Sequence, residues 1–246
     1  MAEKINPSEQ TTILQSKLNS LLELASSGQE PPVGCEKCEN GQIKIPKDFG
    51  WDIKMCECYD RQQELKNQLA ALAESNISRP ELQLYPVSGF QQERLKLDGI
   101  VKFALGKSEK KWLYLFGGPG TGKTYTGILA ALFAIVSGRT ALYVNTPDLL
   151  EAMRPGHDED GKQWMNMCKR ADLLILDDIG QEKGSEWVSE RLYLVINNRY
   201  REGKNTVFTS NFSLEDLKVS PAIISRLRHF SQIVDFKRND KRITNL

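Results

Sequence analysis

The sequence predicts an α/β fold, a mostly parallel five-stranded sheet with helices on both faces, preceded by a small N-terminal helical and cysteine-bearing unit. Three observations predict it. Short apolar runs alternate with helix-length segments from about residue 111 onward. A glycine-rich turn joins the first such run to the first such helix. Four cysteines crowd a polar segment upstream, where that alternation is missing. Strands that alternate with helices imply a mostly parallel sheet, because each crossover helix carries the chain back to the edge where the previous strand began.

Taken in order, residues 6–27 carry Ile13, Leu14, Leu18, Leu21, Leu22 and Leu24 at helical spacing, with Pro7 early and Gly28 just past the end. "SGQEPPVG" breaks the chain. Cys35, Cys38, Cys56 and Cys58 follow, and "ECYDRQQELKNQLAALAES" reads as a polar helix to about Ser75. "NISRPELQLYPVSGF", with Pro80 and Pro86, reads as a linker, so we expect an N-terminal domain over 1–80 and a larger one over 81–246. "KKWLYLF" then reads as a strand and "KTYTGILAALFAIVS" as a helix stopped by Gly138. "TALYVN" is a second strand, and "PDLLEAM" begins a helix. "ADLLILDD" is a third strand and "SEWVSERLYLVINNRYR" a long helix, while "NTVFTSN" and "SQIVDF" complete the five strands.

Composition bounds the function. With 246 residues, 40% hydrophobic and 26% charged, the chain reads as an ordinary water-soluble globular protein with one large domain or a medium and a small one. The first residues are polar, and no apolar run approaches bilayer length, so a cytosolic setting is expected. A net charge of +1 gives no global field for nucleic acid. The distribution is uneven: residues 1–80 carry 9 Lys/Arg against 12 Asp/Glu, and residues 199–246 carry 10 against 5. A solvated helical face produces such an asymmetry as readily as a binding surface does.

"GGPGTGKT" matches the phosphate-binding pattern G-x-x-x-x-G-K-[ST] in its proper strand–loop–helix frame. Its members are Gly117, Gly118, Pro119, Gly120, Thr121, Gly122, Lys123 and Thr124. The glycines let backbone N–H groups close on phosphate oxygens, and the following helix points its positive end at them. Lys123 can reach the β- and γ-phosphates of ATP, and Thr124 can offer its hydroxyl to Mg²⁺.

"LLILDDIG" ends four apolar residues in Asp177 and Asp178. Two adjacent carboxylates either flank a solvated turn or hold a cation. Ligands of a parallel sheet sit at the carboxyl ends of its strands, so Asp177 is placed to meet the Mg²⁺ of Thr124. Asp178 is placed to orient or deprotonate an attacking water. Its short side chain implies slow hydrolysis, suited to a switch. Asn211, after the strand "VFTS", can sense the γ-phosphate, or it caps a short helix "SLEDL", a role open to Ser213 as well. Arg226 and Arg228 are either surface arginines or an arginine finger for a neighbouring subunit.

These motifs together resemble the AAA+ ATPases, within them the DnaC-like and DnaI-like helicase loaders, some phage-encoded, with the transposition helper IstB a close cousin. "GGPGTGKT", "LLILDDIG", "FTSN" and "SRLR" carry the resemblance over roughly residues 85–236. It implies that Asp178 is catalytic, that Asn211 is the γ-phosphate sensor and that Arg226, before Arg228, is the finger. A finger supplied in trans implies self-association into an open ring or spiral. The group's shortened lid leaves Arg238 as a substitute for its second sensor. Arg154, Lys169 and Arg170 fall where such loaders line a single-stranded DNA path, although a solvated helix explains each alone.

C-x₂-C-x₁₇-C-x-C provides four thiolates, the donor set of a structural tetrahedral Zn²⁺ site. A disulfide pair fits an exported protein better. Cys168 stands alone and reads as core. An N-terminal zinc module also fits the loaders, in which that region grips a DnaB-type replicative helicase. The expected function is therefore an ATP-dependent loader of that helicase onto single-stranded DNA. An IstB-like regulator of a transposase is the alternative. A protein unfoldase is disfavoured because no aromatic pore-loop signature follows the second strand. Trp164 and Trp187 read as core, His157 as a loop residue and His229 as a helix-end cap. Phe90 reads as core or as a neighbour of adenine.

Overall fold

The computed structural model describes residues 6–29, 31, 35–39, 41–48, 50–77, 95–154, 158–181 and 186–236. Most of the expected linker, with Pro80, Pro86, Phe90 and the boundary at 80/81, lies outside them. So do His157 and Arg238.

The elements in chain order are α1 (Pro7–Ser27), β1 (Gln42–Pro46), β2 (Trp51–Met55), α2 (Glu57–Glu74), α3 (Leu97–Ala104), β3 (Trp112–Phe116), α4 (Lys123–Val136), β4 (Ala141–Asn145), α5 (Thr146–Ala152), α6 (Asp158–Arg170), β5 (Leu173–Asp177), α7 (Glu186–Glu202), β6 (Asn205–Ser210), α8 (Pro221–Phe230) and β7 (Ser231–Asp235). The five-stranded sheet runs β4-β5-β6-β3-β7, all pairs parallel, as the alternation predicts. Register is level at the carboxyl ends. Asn145 pairs with Asp177, and Phe116 pairs with both Ser210 and Asp235. The residues that follow those strands are thereby gathered at one edge. No helix among the described residues is long and apolar enough to cross a membrane.

Helix α4 is buried all round, from Ile128 to Val136. A helix apolar on every side must be covered on every side. The sheet covers one face through Leu113, Leu115, Ile175 and Val207, and Gly127 lets it approach closely, since a Cβ there would sit 3.0 Å from Ile175. The other face is covered by α3 and by the N-terminal helices. Leu14, Leu18 and Leu21 of α1 and Leu72 of α2 join the same apolar cluster. Polar ties reinforce this layer. Thr11 donates to Asp98 at 2.7 Å, and the Gln68 side-chain amide donates to the Val136 carbonyl at the end of α4 at 3.1 Å. The two helices of the expected N-terminal domain thus share the core of the ATP-motif domain. Helix α1 begins at an Asn6–Glu9 capping box and ends at left-handed Gly28.

The opposite face of the sheet is covered by α5 to α8, in a second cluster with Trp112, Tyr114, Leu174, Leu176 and Phe208 at its centre. Trp164 and Trp187 pack against this cluster and Cys168 is buried within it, as the sequence predicts. Two elements depart from expectation. "SLEDL" forms a turn, because Ser213 donates to Asp216 and accepts from its N–H, closing the chain locally before a helix can start. Between the cysteine pairs, β1 and β2 form an antiparallel hairpin. Its strands alternate apolar and polar residues, Ile43-Lys44-Ile45 and Trp51-Asp52-Ile53-Lys54-Met55, although both faces are largely exposed.

Candidate functional site

The glycine-rich loop Gly117–Gly122 links β3 to α4 beside the ends of β5 and β6. Gly117 has φ 145°, and any Cβ there would meet the Phe236 carbonyl at 2.6 Å, so the loop can start only with glycine. Gly122 caps α4 at φ 95°. Lys123 Nζ donates to the Gly117 and Gly118 carbonyls at 2.9 and 2.7 Å and to Asn211 Oδ1 at 3.0 Å. Asn211 therefore faces the loop lysine, while Ser213 makes the local turn bond.

Strand alternation decides which aspartate faces the loop. Asp177 shares the α4 side of the sheet with Ile175 and Val207. Thr124, in the first turn of α4, donates to both of its oxygens at 3.0 and 3.1 Å. Two flanking strands hold the same carboxylate: Thr209 on β6 donates to Oδ1 at 2.5 Å, and Tyr143 on β4 donates to Oδ2 at 2.9 Å. Asp177 is only 3% exposed, and burial raises its pKa above the ordinary carboxylate value against the opposing effect of these hydroxyls. A buried carboxylate with three hydroxyl donors and no cationic side chain among them fits a site completed by a divalent cation.

Asp178 leaves the strand at φ 56°, and its N–H donates to Thr209 Oγ1 at 2.9 Å. The kink is locked by Ile179 N–H to the Thr209 carbonyl at 2.9 Å and by Ser210 Oγ to the Ile179 carbonyl at 2.7 Å. Gly180 sits at φ 94°, where an L side chain is strained, and a Cβ there would press on Leu217 Cδ1 at 2.5 Å. The two adjacent aspartates are thus turned into different surroundings.

The expected arginines lie on α8. Arg226 is half-buried in its own chain. It donates to the Ala222 carbonyl, Tyr193 Oη and Asn197 Oδ1, and sits 5.0 and 5.4 Å from the Tyr193 and Tyr200 ring centres. Arg228 is exposed and pairs with Glu215 at 3.3 Å. His229, at the end of α8, shares a hydrogen bond with Tyr200 Oη at 3.0 Å. Arg154 pairs with Glu151 on the surface. Lys169 and Arg170 end α6, where Lys204 caps their carbonyls.

The four cysteine sulfurs lie within 4.8 Å of one another, with Cys35–Cys38 and Cys35–Cys56 at 3.7 Å and Cys38–Cys58 at 3.2 Å. Tetrahedral Zn²⁺ with bonds of about 2.3 Å requires sulfurs roughly 3.8 Å apart. The spacing fits a metal and is too long for any disulfide; all four are free thiols. The Cys58 thiol holds the Cys38 pKa down to about 7, while its own is pushed up to about 12. Deprotonated together, four sulfurs this close would repel, so the cluster is one that could hold a metal ion. Cys56 caps the start of α2, and its N–H reaches the Gly41 carbonyl at 2.8 Å, so the cluster binds the hairpin base to that helix.

Sequence reasoning missed Tyr143 and Thr209. Thr209 lies inside the quoted "FTSN" and had a signal: it sits two residues before Asn211 on a strand beside Asp177. Tyr143 had none, because only the pairing of β4 with β5 brings it to the carboxylate.

Residues 61–245 match the family described as "IstB-like ATP binding protein". The replicative helicase loader DnaI of Bacillus subtilis is 33% identical over 112 residues, 44% of this chain and 35% of that protein. The ATP-binding protein of insertion sequence IS5376 from Geobacillus stearothermophilus is 29% identical over 143 residues, 54% of this chain and 56% of that protein. The chain thus spans about a third and just over half of the length of these two relatives. Among solved structures, a DnaI crystal structure superposes with a TM-score of 0.56 at 23% identity, covering 68% of this chain and 95% of that one. The chain belongs to the IstB-like ATP-binding protein family and is an AAA+ protein related to the DnaC and DnaI helicase loaders.

Proposed function

We propose that the protein is a nucleotide-controlled loader of a DnaB-type replicative helicase onto single-stranded DNA, with slow ATP hydrolysis as its switch. The observation that carries this reading is the pairing of an ATP site with a four-cysteine module whose hairpin is apolar and exposed. Alternation along β2 puts Trp51, Ile53 and Met55 on one face of that hairpin, and Trp51 is 66% and Ile53 58% exposed. Such a row is suited to a protein partner. In this reading residues 1–80 supply the grip and residues 81–246 the switch.

At the switch, Lys123 exchanges the Gly117 and Gly118 carbonyls for phosphate oxygens while keeping Asn211 as a neighbour. Thr124 and Asp177 hold Mg²⁺, which neutralises charge developing on the phosphates when bound. Asp178, kinked out of the strand, orients water or takes its proton. Arg226 is the finger offered to an adjacent subunit, and the rings of Tyr193 and Tyr200 hold its guanidinium in a defined position. Arg228 is the second choice. Four thiolates from Cys35, Cys38, Cys56 and Cys58 hold Zn²⁺, which ties the hairpin to α2.

The family name and the insertion-sequence relative favour a second reading, a regulator of a transposase. Capture from a bacterial lysate by the tagged chain, with ATP and Mg²⁺ present, tests both. Recovery of a hexameric replicative helicase, lost on chelation of zinc, supports loading; recovery of a transposase overturns it. Arg226→Ala should bind ATP yet lose most hydrolysis, and activity should return on mixing with Lys123→Ala, which keeps the finger. Normal hydrolysis by Arg226→Ala alone removes the finger assignment.

A further inference from the structure

We infer that Tyr143 is a positioning residue for the metal-side carboxylate and that the end of α2 holds Tyr143 in place. The inference rests on the ATP-site reading above. Asp177 is oriented from both sides, by Thr209 at Oδ1 and by Tyr143 at Oδ2. If Thr124 turns its hydroxyl oxygen to a metal ion, these two remain to fix the plane of the carboxylate.

Tyr143 is itself held from an unusual direction. It lies on β4, an edge strand of the sheet whose outward backbone groups are paired by no strand among the described residues. At Tyr143 the residues just after α2 take that role. Its N–H donates to the Ser75 carbonyl at 2.8 Å, and its carbonyl accepts from Asn76 Nδ2 at 3.0 Å. The Asn76 side chain stands in for the backbone of a neighbouring strand. Asn76 adopts φ 59° to do this, and Asp178 adopts φ 56° beyond the other end of the same contact line. They are the two non-glycine residues with positive φ among the described residues. Local strain at both ends marks the line as over-determined by its surroundings. Ser75 is fully buried, and its hydroxyl donates to the Leu72 carbonyl at 2.7 Å, so the clamp is continuous with α2.

Helix α2 spans Glu57–Glu74, roughly 27 Å at 1.5 Å per residue, and begins inside the cysteine cluster. One rigid element thus joins the proposed partner-gripping module to the hydroxyl that orients Asp177. A displacement of α2 moves that hydroxyl.

The test compares the wild-type chain with Tyr143→Phe, Asn76→Asp and Lys123→Ala. Mn²⁺ binding to the protein–ADP complex is read by electron paramagnetic resonance, ADP affinity without metal by fluorescence, exchange of the Tyr143 amide by NMR, and Tm alongside. Tyr143→Phe should leave metal-free ADP affinity unchanged and weaken Mn²⁺ binding roughly 10-fold, the lower end of losses for residues that support metal ligands. Asn76→Asp keeps a residue tolerant of positive φ but removes the donor. It should shift Mn²⁺ binding in the same direction by less and speed exchange at Tyr143. Unchanged Mn²⁺ binding in Tyr143→Phe, with or without a lower Tm, overturns the inference alone. A wild type that binds no ADP, or a Lys123→Ala that binds it normally, overturns the ATP-site reading together with the inference.

Discussion

The two ends of α2 are held by different physics. At its carboxyl end, the nucleotide site is assembled by backbone register. The ends of β3, β5 and β6 are level, strand alternation turns Asp177 toward α4, and burial on both faces leaves no freedom to slip. At its amino end, the hairpin β1–β2 is exposed on nearly every residue, and a two-stranded ribbon of that kind is marginal in water. Four sulfurs must do there what the core does at the other end. A site made by register tolerates no shift in the sheet but needs no metal to exist. In the proposed reading, a site held by metal would leave its surface residues free for a partner.

The largest effect should come from attacking the core on the cysteine side of residue 80. Leu18 is fully buried in the cluster that covers α4, so Leu18→Ala should cost about 2–5 kcal/mol, read as a shifted urea midpoint. Nucleotide-protected unfolding should shift with it. Two separate transitions, with only one moved, would break the claim that α1 belongs to the core of the nucleotide site.

Next in size is Lys123→Ala. Its bonds to the Gly117 and Gly118 carbonyls and to Asn211 lie within the site, and the lost charge should weaken ATP binding roughly 100-fold, since bonds to charged groups contribute up to about 3 kcal/mol. Zinc content, measured on the same sample, should stay at the wild-type level. Loss of zinc in this variant would show that the two ends are not independently built.

Much of this contrast was legible before any fold was known. The five strands follow from apolar runs such as Leu173–Leu176, and the phosphate loop follows from the spacing of Gly117, Gly122 and Lys123. The cysteine pairs announce their donor set. What stayed hidden is what depends on distant pairing. Tyr143 looked like one more strand residue, because its meeting with Asp177 is set by the β4–β5 register and its support comes from Ser75 and Asn76, 67 residues earlier for the side-chain bond. The cover over α4 was legible in principle, since an all-apolar helix needs a second layer. The hairpin had a signal, the period-two runs Ile43-Lys44-Ile45 and Trp51-Asp52-Ile53-Lys54-Met55, which the cysteine pairs on either side overshadowed.

The third effect separates the ends by pH. Zinc binding displaces the protons of the four thiols, so affinity should rise with pH throughout. Cys38, held down to about 7 by the thiol of Cys58, is already a thiolate above that pH and gains a proton below it. Since its pKa lies below the ordinary thiol value, the advantage of a ready thiolate is present at higher pH and is lost as pH falls through about 7. Zinc affinity, followed by competition with a chromophoric chelator, should therefore fall more steeply with acid below pH 7 than above it, by about one further proton. An equal slope on both sides would remove Cys38 as the first thiolate.

The smallest effect is the most telling for the hairpin. Trp51 is the most exposed large apolar residue described, and no part of the core leans on it. Trp51→Ser should change stability within about 0.5 kcal/mol, the range of surface substitutions. Zinc binding and ATP affinity should also be unchanged, because neither site touches that side chain. Capture of the partner should nevertheless fall, since burying such a ring against another protein contributes about 1–2 kcal/mol or more. If stability falls instead and capture holds, Trp51 packs onto its own chain in solution, and the hairpin is a structural brace with no docking face.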